Sequence, residues 1–190
     1  MRSECKLPGT AIPRENAKDA MEILDGLFLG GGLVLSQVTE LAGIEGYMVQ
    51  NWVRRGYLTP PRNKRYTERQ FCRIVLINLL RDRLNIGEIT DLISRINGHL
   101  DDESDDLIDD TLLYVYFVRL LDACGAPDEL PDAVRRVTAD FPEPLPGAGN
   151  ALREILKVAY LAYQSARCLR SAREALSSLP PYGAFPPDGG

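Results

Sequence analysis

Amide and guanidinium side chains cluster in a short stretch before the middle of the chain. Gln50, Asn51, Arg54 and Arg55 lie in one predicted helix, and Tyr47 lies near its start. Residues three and four apart share one face of a helix, so these side chains are expected to point the same way. Glutamine and asparagine can make paired hydrogen bonds to adenine, and arginine can make them to guanine. The stretch therefore carries side chains suited to contacting base edges in duplex DNA.

A compact basic turn follows that helix. Arg62, Lys64 and Arg65 come directly before Tyr66, and a Pro-Pro pair precedes them. The residue before a proline is pushed out of the helical region, so residues 57–61 are predicted to be extended. Basic side chains in a loop can neutralise phosphates. We therefore predict a short two-stranded wing, with Tyr66 either contacting a phosphate or packing beneath the turn.

Charge is distributed unevenly along the chain, whose formal net charge is −5. Residues 34–97 carry ten Lys or Arg against six Asp or Glu, whereas residues 98–190 carry eight against sixteen. Nine of the basic residues fall within residues 54–83. A basic segment beside an acidic one is typical of a DNA-binding head joined to a different kind of region, although a solvated basic helix has the same composition.

Helical periodicity predicts the elements that hold these side chains. Ser36 is expected to cap a short helix that Gly43 ends, and the turn Gly43-Ile44-Glu45 leads directly into the helix with the amides. Two helices joined so tightly form a helix-turn-helix, whose second helix enters the major groove. The predicted helices cover residues 14–29, 36–42, 45–55, 67–80, about 87–97, 104–123 and 150–179, and residues 125–149, with five prolines, are predicted to be a linker with one helical turn.

The run SQVTELAGIEGYMVQNWVRRGYLTPPRNKRYTERQFCRIVLINLLRDRLNIGEITDLI resembles the DNA-binding head of MerR-type regulators. The resemblance rests on the Gly-Ile turn and on Gly56, Leu58, Pro60, Tyr66, Gly87 and Ile89. With the flanking helix and acidic region, the chain resembles a MerR-related bacterial family of unknown function more closely. The resemblance implies a homodimeric transcriptional regulator with an effector domain behind its head.

The chain also departs from the MerR pattern. Where those regulators carry Arg-Tyr-Tyr-Glu in the second helix, this sequence has Gln50, Asn51, Trp52 and Val53, and Lys64 replaces a wing arginine. Trp52 is expected in the core. The shorter wing and the missing signature favour an alternative, a protein-interaction adaptor that keeps the scaffold without binding DNA.

The last predicted helix has a heptad pattern. Its repeating positions, all apolar except Arg173, step by three and four residues, which is typical of helices that pair with one another. We therefore expect this helix to contribute to a dimer. The positions are Leu152, Ile155, Ala159, Ala162, Ala166, Leu169, Arg173 and Leu176.

Aromatic side chains in the C-terminal half could line a pocket for a small-molecule effector. The candidates are Tyr114, Phe117, Tyr160 and Tyr163. Aromatic faces beside carboxylates suit cations. An ordinary helix-bundle core would have the same composition, so both interpretations stay open.

Other kinds of site are not predicted. The acidic run in residues 101–110 lacks the spacing of a calcium loop, and four scattered cysteines with one histidine do not form a zinc pattern. His99 is expected in an exposed loop. No nucleophile–base pair or phosphate loop is evident, so we expect neither an enzyme nor a bound cofactor or metal.

The sequence predicts an all-α protein with a winged helix-turn-helix head. We expect an arm and helix in residues 1–33, the head in 34–97, a helical dimerisation or effector region in 98–179 and a disordered tail in 180–190. The expected partners are double-stranded DNA and a second copy of the chain, and a small-molecule effector is a further candidate. No signal peptide or membrane span is evident, which favours a cytoplasmic protein.

Overall fold

A computed structural model gives the fold and describes residues 6–14, 19–98, 100 and 107–180. The described part is mostly helical, with one two-stranded antiparallel sheet, as the sequence predicts at this level. The elements are α1 (Ala20–Phe28), β1 (Leu33–Val34), α2 (Leu35–Ala42), α3 (Gly46–Arg54), β2 (Arg65–Tyr66), α4 (Glu68–Leu80), α5 (Ile86–Asn97), α6 (Asp110–Ala123), α7 (Leu130–Val137) and α8 (Ala148–Ser178).

Helix α4 is the centre of the core. Phe71, Ile74, Val75 and Ile77 are fully buried on it, so it is apolar around most of its circumference. It packs against α2 and α5 on the predicted head and against α6 and α8 beyond it. One continuous apolar cluster therefore includes side chains from both regions, and the predicted domain boundaries stay a prediction.

The helix starts depend on local hydrogen bonds. At α4 the predicted cap is confirmed, because Thr67 Oγ1 accepts a hydrogen bond from the amide of Gln70 at 3.2 Å. At α2 the predicted cap, Ser36, is wrong. The helix begins at Leu35, and the amide of Val34 donates to Gln37 Oε1 at 3.0 Å. Val34 takes the cap position because its pairing in β1 already holds it extended.

The sheet does not have the predicted pairing. Residues 57–61 were expected to pair with the strand after the basic turn, but β1 pairs with β2, with Leu33 opposite Tyr66. The Pro-Pro pair lacks the amide protons that a ladder needs. Gly32 permits the observed approach, since a Cβ at this residue would lie 2.9 Å from the Tyr66 carbonyl oxygen.

Residues 125–149 contain more helix than predicted. A 3₁₀ turn at Pro127–Glu129 leads into α7, where Leu130, Ala133 and Val134 are buried. Pro131 is tolerated there because the first turn of a helix needs no amide proton. Prolines were therefore a misleading signal for a linker in this segment.

Two other predicted helices start later than expected. Arg14 is not helical, and the described part of the first helix starts at Ala20. Helix α6 starts at Asp110, where the Asp109 carboxylate accepts a hydrogen bond from the Leu112 amide at 2.7 Å. The predicted start at Ser104, the loop at His99 and most of the acidic run lie outside the described residues.

The N-terminal arm is tied to the core. Leu7 and Ile12 are buried, and the Tyr114 hydroxyl donates to the carbonyl of Pro8 at 2.7 Å. The Ala11 amide donates to the Leu41 carbonyl at 2.7 Å, which fastens the arm to α2. None of the described helices is both long enough and apolar enough to cross a membrane.

Candidate nucleic-acid interface

Helices α2 and α3 are joined by a three-residue turn. Gly43 has a φ of 59°, a left-handed conformation that glycine adopts without a Cβ clash. The Ile44 amide donates to the Thr39 carbonyl at 3.1 Å, and the Ile44 side chain is buried. The turn is therefore fixed both by its backbone and by the core, which sets the direction of α3.

Helix α3 buries one face and exposes the other. Val49 and Trp52 are buried, which confirms the core position expected for the tryptophan. Tyr47 is 68% exposed, and Gln50 and Arg54 are also exposed. The outward face consists of polar and aromatic side chains, and its full set is Tyr47, Gln50, Asn51 (half-buried), Arg54 and Arg55.

Arg55 is oriented by a neighbouring aromatic ring. Its guanidinium lies over the Tyr57 ring, 4.9 Å from the centroid, and donates to the Tyr57 hydroxyl at 3.0 Å. The contact holds Arg55 beside the end of α3. Arg55 is therefore less free to reach outward than Arg54.

Residues 62–65 form a hairpin whose loop has two residues. The Arg65 amide donates to the Arg62 carbonyl at 2.9 Å, and Asn63 and Lys64 have φ values of 50° and 62°. Positive φ at both central residues defines a type I′ turn, which matches the twist of paired strands. Asparagine tolerates this conformation, but lysine is strained in it. The strained residue is also the exposed cation at the tip of the hairpin.

Gln70 anchors the segment that leads to the hairpin. Its Nε2 lies 2.9 Å from the Thr59 carbonyl, 2.8 Å from the Thr59 hydroxyl and 3.1 Å from the Pro60 carbonyl. Its Oε1 accepts from the Thr67 amide at 2.9 Å. This role was not predicted, although a glutamine three residues after a threonine cap is a sequence signal for it.

The cations of this surface differ in their partners. Arg54, Arg62 and Lys64 are exposed and form no ion pair with any carboxylate in the described ranges. Arg65 donates to the Gly32 carbonyl at 2.8 Å, so it partly serves to hold the sheet. Arg54, Arg62 and Lys64 thus remain available to a phosphate.

Tyr66 lies apart from the rest of the predicted set. It is 3% exposed and pairs with Leu33 in the sheet. Burial raises the pKa of its hydroxyl. Its ring packs beneath the hairpin, so we leave Tyr66 out of the candidate surface.

Two arginines of the basic stretch are paired with a buried carboxylate. Asp110 Oδ2 lies 3.1 Å from Arg73 Nη1 and 3.4 Å from Arg69 Nε. Arg73 is 4% exposed and Asp110 is 1% exposed. Burial raises the pKa of Asp110, and the two guanidinium groups oppose that shift. These ion pairs join α4 to α6, so neither arginine belongs to the exposed basic surface.

An apolar groove lies between α2, α3 and the hairpin. It encloses about 560 Å³ and is lined by Val34, Leu35, Val53 and Pro61 among others. Gln50 and Lys64 lie at the same groove, on the α3 side and the hairpin side. The candidate surface is therefore not purely polar.

The aromatic side chains proposed for an effector pocket pack in the core. Tyr114, Phe117 and Tyr160 are at most 1% exposed, and the rings of Phe117 and Tyr163 meet edge to face with centroids 5.8 Å apart. Such rings fill space between α6 and α8. Tyr163 also lines a surface cleft between α4 and α8.

The described residues contain no cluster of three or more His, Cys, Asp or Glu suited to a metal ion. Cys72 and Cys124 are buried and free, Cys168 is exposed, and Cys5 lies outside the described ranges. Burial raises the pKa of the Cys72 thiol well above its usual value. Cys72 and Cys124 therefore act as small core side chains.

Comparison with known proteins gives one match. Residues 32–117, a little under half of the chain, match a family described as a domain of unknown function (DUF1836). No curated protein and no solved structure matches the chain. The matched segment runs from just before β1 into α6, so it includes α3, the hairpin and the ion pairs of Asp110.

Proposed function

We propose that the chain is a MerR-like winged helix-turn-helix regulator that binds double-stranded DNA. In this proposal α3 enters the major groove, and the hairpin at residues 62–65 contacts the backbone or the minor groove. The observation that carries it is the shared groove at which Gln50, on the exposed face of α3, and the exposed hairpin cation Lys64 both lie.

The fixed direction of α3 and the anchored approach to the hairpin support the proposal. The Gly43 turn and the buried Trp52 fix α3, and Gln70 fixes the approach to the hairpin. A preorganised surface loses less conformational entropy on binding than a flexible one. The backbone that carries the basic side chains is therefore already in place before a phosphate binds.

The test is a salt titration of binding to promoter duplexes, including the segment upstream of the chain's own gene. The triple variant R54A/R62A/K64A should lose most of its affinity, and the salt dependence should weaken by about one unit of slope for each phosphate contact removed. The matched control is R95A/R135A/R136A, which removes three exposed cations from α5 and α7. The proposal fails if the wild-type protein binds no duplex at low salt, or if both triple variants bind equally well.

The apolar groove favours a second candidate, an adaptor that binds another protein. Val34, Val53 and Pro61 offer contacts to an apolar side chain, and Tyr47 is an exposed aromatic residue on the same helix as Val53. Aromatic residues are enriched where proteins meet. If the protein is an adaptor, V53D should abolish binding of its partner protein and R54A/R62A/K64A should leave that binding intact. If the protein binds DNA, R54A/R62A/K64A should lose more affinity for duplex than V53D does.

We also propose that the protein is a homodimer formed through α8. The predicted heptad cannot serve this purpose along its whole length, because Leu152, Ile155, Ala159 and Ala166 are buried in the chain's own core. A different row is exposed, with the same steps of three and four residues. It comprises Val158, Leu161, Ser165, Cys168, Ala172, Ala175 and Leu179.

The C-terminal part of α8 favours a second copy of the chain as the partner that packs on this row. From Arg170 onward every residue of α8 is exposed, and Leu176 is 69% exposed. A short helical extension is marginal in water unless its apolar face is packed. Small side chains at the centre of the row would let an identical helix approach closely.

Light scattering and cross-linking test the dimer. The wild-type protein should have twice the mass of the chain, and L161E should be a monomer. Cys168 lies at the middle of the row, so a short bis-maleimide should link two copies of a C5S variant through it, and C5S/C168S should not be linked. A monomeric wild-type protein at micromolar concentration contradicts the dimer.

A further inference from the structure

Three arginines from distant parts of the sequence meet at one cleft. Arg81 follows the end of α4, and Arg167 and Arg170 lie on α8. They line a cleft of about 280 Å³ in which Asp82 is the one acidic residue among its described lining. We call Arg81, Arg167 and Arg170 the arginine cleft.

The arginine cleft is adjacent to α3. Arg81 Nη1 lies 3.3 Å from the sulfur of Met48, in the first turn of that helix. Asn78, which also lines the cleft, donates from Nδ2 to the Ala42 carbonyl at 3.0 Å, directly before the turn between α2 and α3. The cleft therefore borders the end of α3 that penetrates deepest when such a helix enters a major groove.

The arginine cleft and the hairpin lie on different flanks of α3. Gln50 and Val53 face the groove that Lys64 also lines. Met48 is two positions before Gln50, about 200° around a helix, so the Arg81 contact falls on the other flank of the exposed face. The outward face of α3 thus has cations on both sides.

The guanidinium groups of the arginine cleft are accessible. All three arginines are exposed, and within the described ranges none of them forms an ion pair with a carboxylate. Arg167 lies over the Tyr163 ring, 5.9 Å from its centroid, and that ring is fixed against Phe117. Like charges gathered in one cleft repel each other, and an anionic partner relieves the repulsion.

We infer that the arginine cleft binds the phosphate backbone of DNA on the side of α3 away from the hairpin. The inference rests on the proposed function and extends it into the C-terminal half, which is acidic overall. It assigns a DNA contact to Arg167 and Arg170, which lie beyond the segment that matches the family. Because phosphates carry no sequence information, the contact contributes affinity and orientation but not base selection.

The experiment compares R167A/R170A with R135A/R136A in a salt titration of duplex binding. Both double variants remove two exposed arginines, so the change in net charge is the same. If Arg167 and Arg170 each contact one phosphate, the slope of log affinity against log salt should become shallower by about 1.8 units for R167A/R170A. Between 50 and 200 mM salt, that difference corresponds to about a tenfold smaller loss of affinity.

Further readouts separate a backbone contact from other effects. R167A/R170A should lose affinity by the same factor on the preferred duplex and on a mixed-sequence duplex, and R167E/R170E should lose more. Circular dichroism should be unchanged, because both side chains are exposed. A slope for R167A/R170A equal to that of R135A/R136A would overturn the inference.

The inference and the proposed function can fail separately. If the wild-type protein binds duplex and R54A/R62A/K64A weakens it, but R167A/R170A does not, only the arginine cleft is refuted. If the wild-type protein binds no duplex, both are refuted. If R167A/R170A changes affinity for one sequence only, the contact is to bases, and the assignment to the backbone is overturned.

Discussion

Arginines from one basic stretch have two different environments in this protein. Arg69 and Arg73 lie on α4 and pair with Asp110, and Arg73 is almost completely buried. Arg54 and Arg62 lie on α3 and the hairpin, are exposed, and have no carboxylate partner in the described ranges. In the sequence these four residues differ little, since all belong to the same cluster of positive charge.

The difference shows that a count of basic residues overestimates a basic surface. A buried charge must be paired, because an isolated ion loses its hydration on burial. Asp110 supplies that pairing from 37 residues beyond Arg73 along the chain. The charges that can meet a ligand are therefore those for which the fold provides no partner. Three substitutions test this contrast.

The largest effect is expected for Arg73→Ala. The substitution leaves the Asp110 carboxylate buried with one fewer cation, which should cost about 3–5 kcal/mol of unfolding free energy. Urea denaturation followed by circular dichroism measures it. Arg62→Ala is the matched control and should change stability by less than about 0.5 kcal/mol, because its side chain is exposed. A loss below about 1 kcal/mol for Arg73→Ala would contradict the contrast.

An intermediate effect is expected for Arg54→Ala, on binding rather than on stability. If Arg54 makes a paired hydrogen bond to a base, the loss should be about 1–3 kcal/mol of binding free energy on the preferred duplex. The denaturation midpoint should not move. Equal losses of affinity on all duplexes would instead show that Arg54 contacts the DNA backbone. A shifted denaturation midpoint with unchanged binding would show that Arg54, like Arg73, contributes to stability.

The smallest effect is expected for Lys64→Gly, which should raise stability and weaken duplex binding. Glycine removes the left-handed strain at the hairpin tip, so the unfolding free energy should rise by about 1 kcal/mol. Removing the ammonium group should weaken duplex binding at low salt. Lys64→Ala keeps the strain and loses the charge, so it should weaken binding without gaining stability. A destabilised glycine variant would contradict the role of strain.

The local sequence predicts much of the fold because helical elements depend on near neighbours. The threonine cap at Thr67, the left-handed Gly43 and the buried Trp52 could all be predicted, since each depends on residues within four or five positions. The polar face of α3 follows from the same periodicity. The predictions for Ser36 and for residues 125–149 failed because pairing in β1 and burial of the α7 face outweigh local preferences.

The long-range pairings could not be predicted in this way. Each of these pairings joins residues more than thirty positions apart. They are the pairing of β1 with β2, the ion pair between Arg73 and Asp110, and the contacts that bury half of the α8 heptad in the chain's own core. Composition does not say which of many arginines will meet one aspartate. The meeting of Arg81 with Arg167 and Arg170 is likewise a product of packing between α4 and α8.

The sequence by itself determined a mostly helical chain, the turn between α2 and α3 and the side chains on the outward face of α3, because these depend on short-range periodicity and capping. Only the tertiary structure decided which charges are buried as ion pairs, which row of α8 is exposed and which distant arginines share a cleft. Burial is a property of the packed chain, and it removes some charges from water while leaving identical ones accessible.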